Sequence, residues 1–336
     1  MPKKLRWGCL STANFALNRF LPALPGCEYS ELCAISSRNL DKAQAAAKQL
    51  GIPKAYGSYE ELLADPEIDV VYNPLPGHLH VPWSIKAADA GKHVLCEKPI
   101  AMNAAEVKDL MAARDRNKVK VGEAFMIRTH PQWLRARELV RSGAVGELRA
   151  ISGFFSYFNR DATNIRNIPE AGGGAVYDIG CYTINSSRFI FGEEPLKVVS
   201  LVERDPDMGA DRLTSAILEF PSGQAIWTVS TQLLLYQRMQ IFGTTGRIEM
   251  EIPFNAPNDR VSRIFLDDGS ELGDLSAKSE EFPICNQYTI EADSFSRAAL
   301  DDTPEPVPLE DALANMAVID AVYRSGKTGR WEEVQR

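Results

Sequence analysis

The chain has 336 residues, and its 45 acidic side chains outnumber its 37 lysines and arginines, giving a formal net charge of −8. Nucleic acids and anionic membranes attract basic surfaces, so this charge balance disfavours both kinds of partner. A length beyond one ordinary core, with 45% hydrophobic residues, predicts a globular protein of two domains.

The six cysteines are scattered and form no Cys-x-x-Cys pair, which favours reduced, buried thiols. We find no apolar run of membrane-spanning length and no convincing export signal at the start. We therefore expect a cytoplasmic protein. His78 and His80 are closely spaced, but no further ligand stands at metal-site spacing, so no metal site is predicted.

The first part of the chain alternates between strands and helices. Because helices that link short apolar strands require right-handed crossovers, they imply a parallel sheet covered on both faces. The sequence predicts a doubly wound Rossmann domain over residues 1–123. The predicted strands are 5–10, 31–35, 70–72, 93–96 and 120–123, with helices such as 40–50 and 81–90 between them.

Residues 124–336 follow a different rhythm and are predicted to form a second domain for substrate binding and oligomerisation. Turn sequences such as PSG at 221–223 and TTG at 244–246 separate strands at hairpin spacing, so a mainly antiparallel sheet is expected. A helix is predicted at 131–142, and two late helices, 288–300 and 309–325, can pack on either domain. The predicted strands are 149–158, 197–203, 213–220, 225–233, 237–242, 247–251 and 261–266.

The first strand runs into GCLSTA at 8–13, a partial match to the dinucleotide fingerprint G-x-G-x-x-G/A. Gly8 and Ala13 fit its first and third positions, whereas Leu10 replaces the central glycine. The hydroxyls and amides of Ser11 and Thr12 can bind phosphate oxygens. These five residues are therefore predicted to contact the cofactor at the start of a helix.

The end of the second strand predicts which cofactor binds. It reads ISSR at 35–38, without the acidic residue that binds the ribose 2′-hydroxyl of NAD. Ser37 and Arg38 are placed to meet a 2′-phosphate, and Lys42 lies one helical turn beyond Arg38. NADP is therefore favoured over NAD.

Two further strands run into proline-rich turns, VVYNPLP at 70–76 and VLCEKP at 94–99. Open α/β sheets bind ligands at the carboxyl ends of their strands, so both turns are predicted to face the cofactor. His80 is interpreted as a helix-start residue rather than a catalyst. The residues expected to line or floor the nicotinamide site are Asn73, Pro74, Leu75, His78, Glu97 and Lys98.

A glycine-rich stretch, GGGAVYDIGCYTINSSRFIFG at 172–192, runs into a predicted helix. The three glycines let the backbone pass close to cofactor and substrate, and Gly180 is expected to keep the next turn thin where it faces the pocket. Asp178 and Tyr182 are four residues apart, on one helical face. Spacing alone leaves open whether this pair packs or does chemistry.

Five motifs in this order resemble the Gfo/Idh/MocA oxidoreductase family: the G-x-x-S-x-A turn, NPLP, EKP, GEAF at 122–125, and GGG followed by D-x-G-x-Y. The resemblance runs from about residue 5 to about residue 328. It is greatest to the branch of glucose–fructose oxidoreductase and NADP-linked, xylose-type aldose dehydrogenases. The family implies an open-faced antiparallel sheet that commonly forms the dimer face, and hence a homodimer or homotetramer.

The resemblance also implies roles for individual residues. Tyr182 would exchange the hydroxyl proton of the substrate, with the Lys98 ammonium lowering the pKa of the phenol, and Asp178 would bind substrate hydroxyls. Many relatives have histidine in place of Tyr182, so the division of labour between Lys98 and Tyr182 stays open. Three further residues are candidates for binding sugar hydroxyls: Arg128, Asn164 and Arg166.

These features predict an NADP-dependent oxidoreductase that moves hydride between nicotinamide and an aldose or related polyol, at carbon 1 in either direction. Two alternatives remain. The first is an aldose–aldose oxidoreductase of the glucose–fructose type that keeps NADP bound through its cycle. The second is a regulatory protein that binds dinucleotide without catalysis, because fold alone does not exclude it. The sequence does not identify the sugar.

Overall fold

The computed structural model describes residues 3–335. The chain divides into two compact units. The first contains the described residues up to Met126 together with Asn286–Leu313. The second contains Ile127–Cys285 and the described residues from Ala314 onward.

The first unit contains a six-stranded sheet in the order β3-β2-β1-β4-β5-β6. All of its strand pairs are parallel. This order, with two sets of crossovers leaving from β1, is the doubly wound topology that the sequence predicts, and the Rossmann assignment is confirmed. The strands are β1 (Leu5–Leu10), β2 (Ser30–Ser36), β3 (Lys54–Tyr56), β4 (Val70–Asn73), β5 (His93–Glu97) and β6 (Val121–Ala124).

The second unit contains a nine-stranded sheet in the order β14-β13-β12-β11-β7-β10-β9-β8-β15. Its pairs are antiparallel except that β10 runs parallel to β7, so the predicted mainly antiparallel sheet is confirmed. The strands are β7 (Leu148–Phe158), β8 (Lys197–Arg204), β9 (Asp211–Glu219), β10 (Gln224–Ser230), β11 (Gln232–Gly243), β12 (Arg247–Met250), β13 (Ser262–Asp267), β14 (Lys278–Phe282) and β15 (Glu332–Glu333).

Several helices begin at polar side chains that accept a hydrogen bond from an otherwise unsatisfied amide. Asn39 does this for the first helix and Ser58 for the second. The helices are α1 (Leu40–Leu50), α2 (Tyr59–Ala64), α3 (His80–Asp89), α4 (Ala104–Asn117), α5 (Pro131–Arg141), α6 (Cys181–Phe191), α7 (Gln287–Leu300) and α8 (Leu309–Thr328).

The core of the first unit includes the late helix α7. Trp7 on β1 is fully buried and donates a hydrogen bond from Nε1 to Ser296 Oγ (2.9 Å). Its ring meets Phe295 edge-on at 5.9 Å. Since these contacts join the first strand to a helix near the chain's end, α7 completes the Rossmann core.

In the second unit, one face of the sheet is covered and the other is open. The covered face packs against α6, which is buried from Cys181 to Ile190. The open face exposes apolar side chains, including Leu201 (77% exposed), Ile226 (46%) and Ile217 (39%). In the part of the chain that the structure describes, no helix combines the length and apolar character needed to cross a membrane.

Candidate functional site

The turn after β1 places a non-glycine residue in a left-handed backbone conformation. Leu10 is fully buried, so its side chain lies in the core. Ser11 follows with φ = 81°, the left-handed region that few non-glycine residues adopt. Gly8 packs closely against α2, since a Cβ there would lie 2.9 Å from Leu62 Cδ2. The turn itself is formed by Ser11 and the two residues after it.

Positive charge and hydroxyls follow β2. Ser37 is 8% exposed, and its Oγ accepts a hydrogen bond from the Asn39 amide (3.3 Å). Asn39 in turn caps α1 by accepting from the Lys42 amide (3.1 Å). Arg38 and Lys42 are exposed at this helix start. A serine hydroxyl and two cations therefore lie at the start of α1, the position at which the sequence predicts the 2′-phosphate.

The NPLP turn is organised by Asn73, which is fully buried. Its Nδ2 donates to His80 O and to Ser84 Oγ, both at 3.0 Å, and its Oδ1 accepts from the Leu75 amide (3.3 Å). The side chain of Asn73 therefore fixes the turn and the start of α3. His78 is exposed just before that helix.

His80 begins α3, as the sequence predicts, and also joins two turns. Its Nδ1 lies 2.8 Å from Pro99 O, and its Nε2 lies 2.6 Å from Leu75 O. Burial lowers the pKa of His80 to about 4, so the ring is neutral at pH 7 and one nitrogen donates at a time. Sequence reasoning missed this contact because Pro99 lies in a different motif.

Glu97, the residue before Lys98, interacts with a tyrosine and with a second carboxyl group. Tyr72 donates a hydrogen bond to Glu97 Oε1 over 2.5 Å, and burial together with Glu97 raises the pKa of Tyr72 well above its usual value. Glu291 on α7 is 5% exposed, and burial and Glu97 raise its pKa as well. The Glu97 carboxylate is therefore held by the neutral phenol of Tyr72. Lys98, which is half-buried, follows it directly after β5.

In the second unit, the glycine-rich stretch enters α6 through a wide, π-helical turn at Val176–Gly180. The amide of Cys181 reaches back five residues to Val176 O. Asp178 lies on this wide turn and Tyr182 on the first turn of α6. Such turns are frequent at functional sites. A Cβ at Gly180 would lie 3.5 Å from Val229, so this glycine faces the sheet, and its role beside the pocket stays a prediction.

The side chains of Tyr157 and Arg166 contact the Asp178 carboxylate. Tyr157 on β7 donates to Asp178 Oδ2 over 2.5 Å, and Arg166 Nε lies 3.3 Å from Oδ1. Burial and Asp178 raise the pKa of Tyr157, so its phenol stays neutral and donates. The Asp178 side chain is only 13% exposed, so these contacts hold the carboxylate in a largely buried position.

Sequence reasoning did not identify Tyr157. It shares the covered face of β7 with Ile151 and Phe155, because side chains two residues apart point to the same face of a strand. A phenol in that apolar row, at the end of the strand, is the signal that could have found it.

The remaining second-unit candidates are Tyr182, Asn164 and Arg128. Tyr182 is 6% exposed, and its ring packs against Phe155 (6.0 Å between centroids) and Phe254 (5.5 Å). Asn164 Oδ1 accepts from the Arg166 amide (3.1 Å), which groups it with Asp178.

Arg128 lies instead along α6. It donates from Nη1 to Asn185 Oδ1 (3.3 Å), and its guanidinium stacks over the Phe189 ring at 4.5 Å. Lys98 belongs to the first unit and Tyr182 to the second, so their pairing stays a prediction. Within residues 3–335, no group of three His, Cys, Asp or Glu side chains could hold a metal ion.

Two family models match the chain. Residues 10–125 match an oxidoreductase family with an NAD-binding Rossmann fold, and residues 133–249 match the GFO/IDH/MocA C-terminal domain. The first match contains strands β2 to β6 of the parallel sheet, and the second contains β7 to β11 of the nine-stranded sheet.

Proteins that are similar along nearly the whole chain are also oxidoreductases. The chain is 47% identical to an uncharacterized oxidoreductase of Rhizobium meliloti, across 98% of this chain and 99% of the relative. It is 37% identical to a D-xylose 1-dehydrogenase (NADP(+)) of Haloferax volcanii, across 97% and 98%. The crystal structure of an aldose-aldose oxidoreductase from Caulobacter crescentus, complexed with glycerol, superposes with a TM-score of 0.90 at 27% identity, covering 98% of this chain and 100% of that one.

Proposed function

Because the chain belongs to the Gfo/Idh/MocA family of oxidoreductases and carries its dinucleotide-binding Rossmann domain, we propose that it transfers hydride between NADP and carbon 1 of an aldose or related sugar. The observation that carries the proposal is the Asp178 carboxylate, oriented by Tyr157 and Arg166. Oriented carboxylates are suitable acceptors for sugar hydroxyls, because each oxygen can receive two hydrogen bonds. The similarity to a xylose dehydrogenase supports the same substrate class.

The choice of NADP rests on the residues that follow β2. Arg38 and Lys42 supply two exposed positive charges, and Ser37 supplies a hydroxyl. A 2′-phosphate needs such hydrogen-bond donors. The ribose 2′-hydroxyl of NAD is instead usually bound by a carboxylate, and this chain has Arg38 at the position of that acidic residue. The turn at Ser11 is the proposed pyrophosphate site.

In the proposed reaction, bound NADP supplies a hydride acceptor, and the protein controls the proton and the position of the sugar. Tyr182 takes the proton of the carbon-1 hydroxyl as the hydride leaves that carbon. Lys98 stabilises the negative charge that develops on the same oxygen. Asp178 binds neighbouring hydroxyls and so holds carbon 1 in place.

A panel of pentoses, hexoses and polyols, assayed with NADP and NAD in parallel, tests the proposal. We expect NADP reduction with at least one aldose and a higher kcat/KM for NADP than for NAD. NADP reduction by polyols alone would show that the substrate is not an aldose, and a preference for NAD would contradict the cofactor. Absence of turnover with every compound would favour the regulatory alternative.

The likeness to an aldose-aldose oxidoreductase favours a second candidate, in which nucleotide stays bound while one sugar is oxidised and another reduced. This candidate predicts that purified protein carries stoichiometric NADP after gel filtration. It also predicts turnover of an aldose pair without added nucleotide. Dehydrogenase chemistry predicts neither result.

The open face of the nine-stranded sheet is the proposed contact with a second copy of the chain. Ile217 pairs with Ile226 on one side and with Val199 on the other, which places three apolar residues in a row across neighbouring strands. Leu201 adds to this surface at 77% exposure. Contiguous exposed apolar residues mark protein interfaces, so a homodimer or homotetramer is expected.

The structure pairs none of the six cysteines, which supports a reducing, cytoplasmic location.

A further inference from the structure

A buried carboxylate stands behind the segment that carries Asp178 and Tyr182. Asp211 begins β9 and is 1% exposed. Its Oδ2 accepts a hydrogen bond from the backbone amide of Val176 (2.8 Å), and its Oδ1 accepts one from the hydroxyl of Tyr323 on α8 (2.8 Å). One carboxylate therefore connects a strand, a late helix and the start of the wide turn.

The Val176 amide needs such an acceptor. The first amides of a helix have no partner within the helix, and a side chain just before it usually supplies one. Here the preceding residue is Ala175, which has no side-chain acceptor. Asp211, at a sequence separation of 35 residues, takes that role from the sheet.

The same carboxylate explains the third glycine. Gly174 has φ = 124°, and a Cβ there would lie 2.0 Å from Asp211 Oδ1. Its carbonyl accepts from the Asp178 amide (2.9 Å), and its own amide donates to Arg166 O (2.8 Å). The sequence predicted a close approach of this glycine to cofactor and substrate, whereas the structure shows a close approach to Asp211. Asp211 packs directly on the backbone that positions Asp178 and Arg166.

Tyr323 reinforces the arrangement from the other side. Its ring lies 5.2 Å from that of Tyr177, the residue directly before Asp178. Burial raises the pKa of Tyr323 well above its usual value, and Asp211 acts in the same direction. The phenol therefore stays protonated and keeps donating to Asp211.

We propose that Asp211, assisted by Tyr323, is a positioning residue that holds the segment carrying Asp178 and Tyr182 in the arrangement needed for sugar oxidation. The catalytic consequence of this role rests on the proposed function. The anchoring of the segment is independent of that function, because it follows from the hydrogen bonds and packing at Val176 and Gly174.

Hydrogen exchange on the full-length protein tests the anchoring. In Asp211→Ala, the amides of Val176–Asp178 should exchange at least about tenfold faster than in the wild type. Asp211→Asn keeps an acceptor and should exchange like the wild type. Asp267→Ala is the matched control, because Asp267 is 4% exposed and accepts the Gly269 amide (2.9 Å) at another turn. Unchanged exchange in Asp211→Ala overturns the proposal.

Turnover tests the consequence. Asp211→Ala should lower kcat at least about tenfold with an unchanged KM for NADP, and Asp211→Asn should restore kcat to within about threefold. Faster exchange with a wild-type kcat overturns the positioning role. A wild-type protein that oxidises no sugar contradicts the proposed function, and exchange alone then decides the role of Asp211. If Asp211→Ala does not fold, Tyr323→Phe should accelerate the same exchange, and no change there overturns the proposal.

Discussion

Replacing Tyr157 with phenylalanine removes the hydroxyl that donates to Asp178 over 2.5 Å and leaves the ring in place. A hydrogen bond to a charged group contributes about 1.5–3 kcal/mol. A further partner, Arg166, is 40% exposed, so solvent weakens its hold on the carboxylate. If the lost energy appears in the transition state, kcat/KM falls about 10- to 150-fold, at about 1.4 kcal/mol for each factor of ten.

The assay is steady-state kinetics with the sugar oxidised fastest, together with the Kd for NADP measured by fluorescence. We expect the loss in the kcat/KM for sugar and no change in NADP affinity. Tyr236→Phe serves as a control, since Tyr236 is 42% exposed on β11 and its hydroxyl lies 3.5 Å from Arg238. A Tyr157→Phe protein within about twofold of the wild type would refute the claim that this phenol orients the substrate-binding carboxylate.

Three further predictions follow from the same structure. Arg38→Asp should weaken NADP binding by at least about tenfold more than NAD binding, and equal losses in titrations with both nucleotides would exclude a phosphate contact. Lys98→Met and Tyr182→Phe should each lower kcat at least about a hundredfold while NADP still binds, and near-normal turnover in both would reject these roles. His130 accepts from the Gln132 amide (3.2 Å), and burial lowers its pKa to about 4. Because the unfolded chain binds this proton first, stability should fall as the pH drops from about 6.5 to 4, and His130→Asn should flatten that part of a pH–Tm profile.

The Rossmann half of the fold was predictable because its signals are local. β1 and α1 occupy the predicted residues 5–10 and 40–50. Both have a strong apolar pattern, and α1 also has an asparagine cap and a left-handed Gly51 at its end. Short or charged strands escaped prediction. β14 reads KSEEF and forms only by pairing with β13, which no local pattern reveals.

The candidate site also contains residues that local sequence motifs predict and residues that only tertiary contacts reveal. Asp178, Tyr182 and Arg166 stand in motifs, so the sequence could nominate them. Tyr157 and Asp211 reach the site through hydrogen bonds across 21 and 35 residues. Their contribution depends on the register of the sheet and on the wide turn, both of which are set by tertiary packing rather than by residue spacing.

The wide turn shows that residue spacing alone does not predict how a helix begins. Regular spacing places Asp178 one α-helical turn before Tyr182, but the structure inserts a π-helical turn at Val176–Gly180. No residue in that segment signals the insertion by itself. The cap from Asp211 and the close approach at Gly174 involve a strand that follows α6 in the chain.

The transfer of deuterium from carbon 1 of a labelled aldose to the nicotinamide would show directly that the hydride leaves from that carbon. The protein would be incubated with NADP and an aldose deuterated at carbon 1, and both products would be analysed by mass spectrometry. The account predicts singly deuterated NADPH together with the unlabelled lactone or its acid. Deuterium retained at carbon 1 of an oxidised sugar product would contradict it, because the hydride would then have left from another carbon.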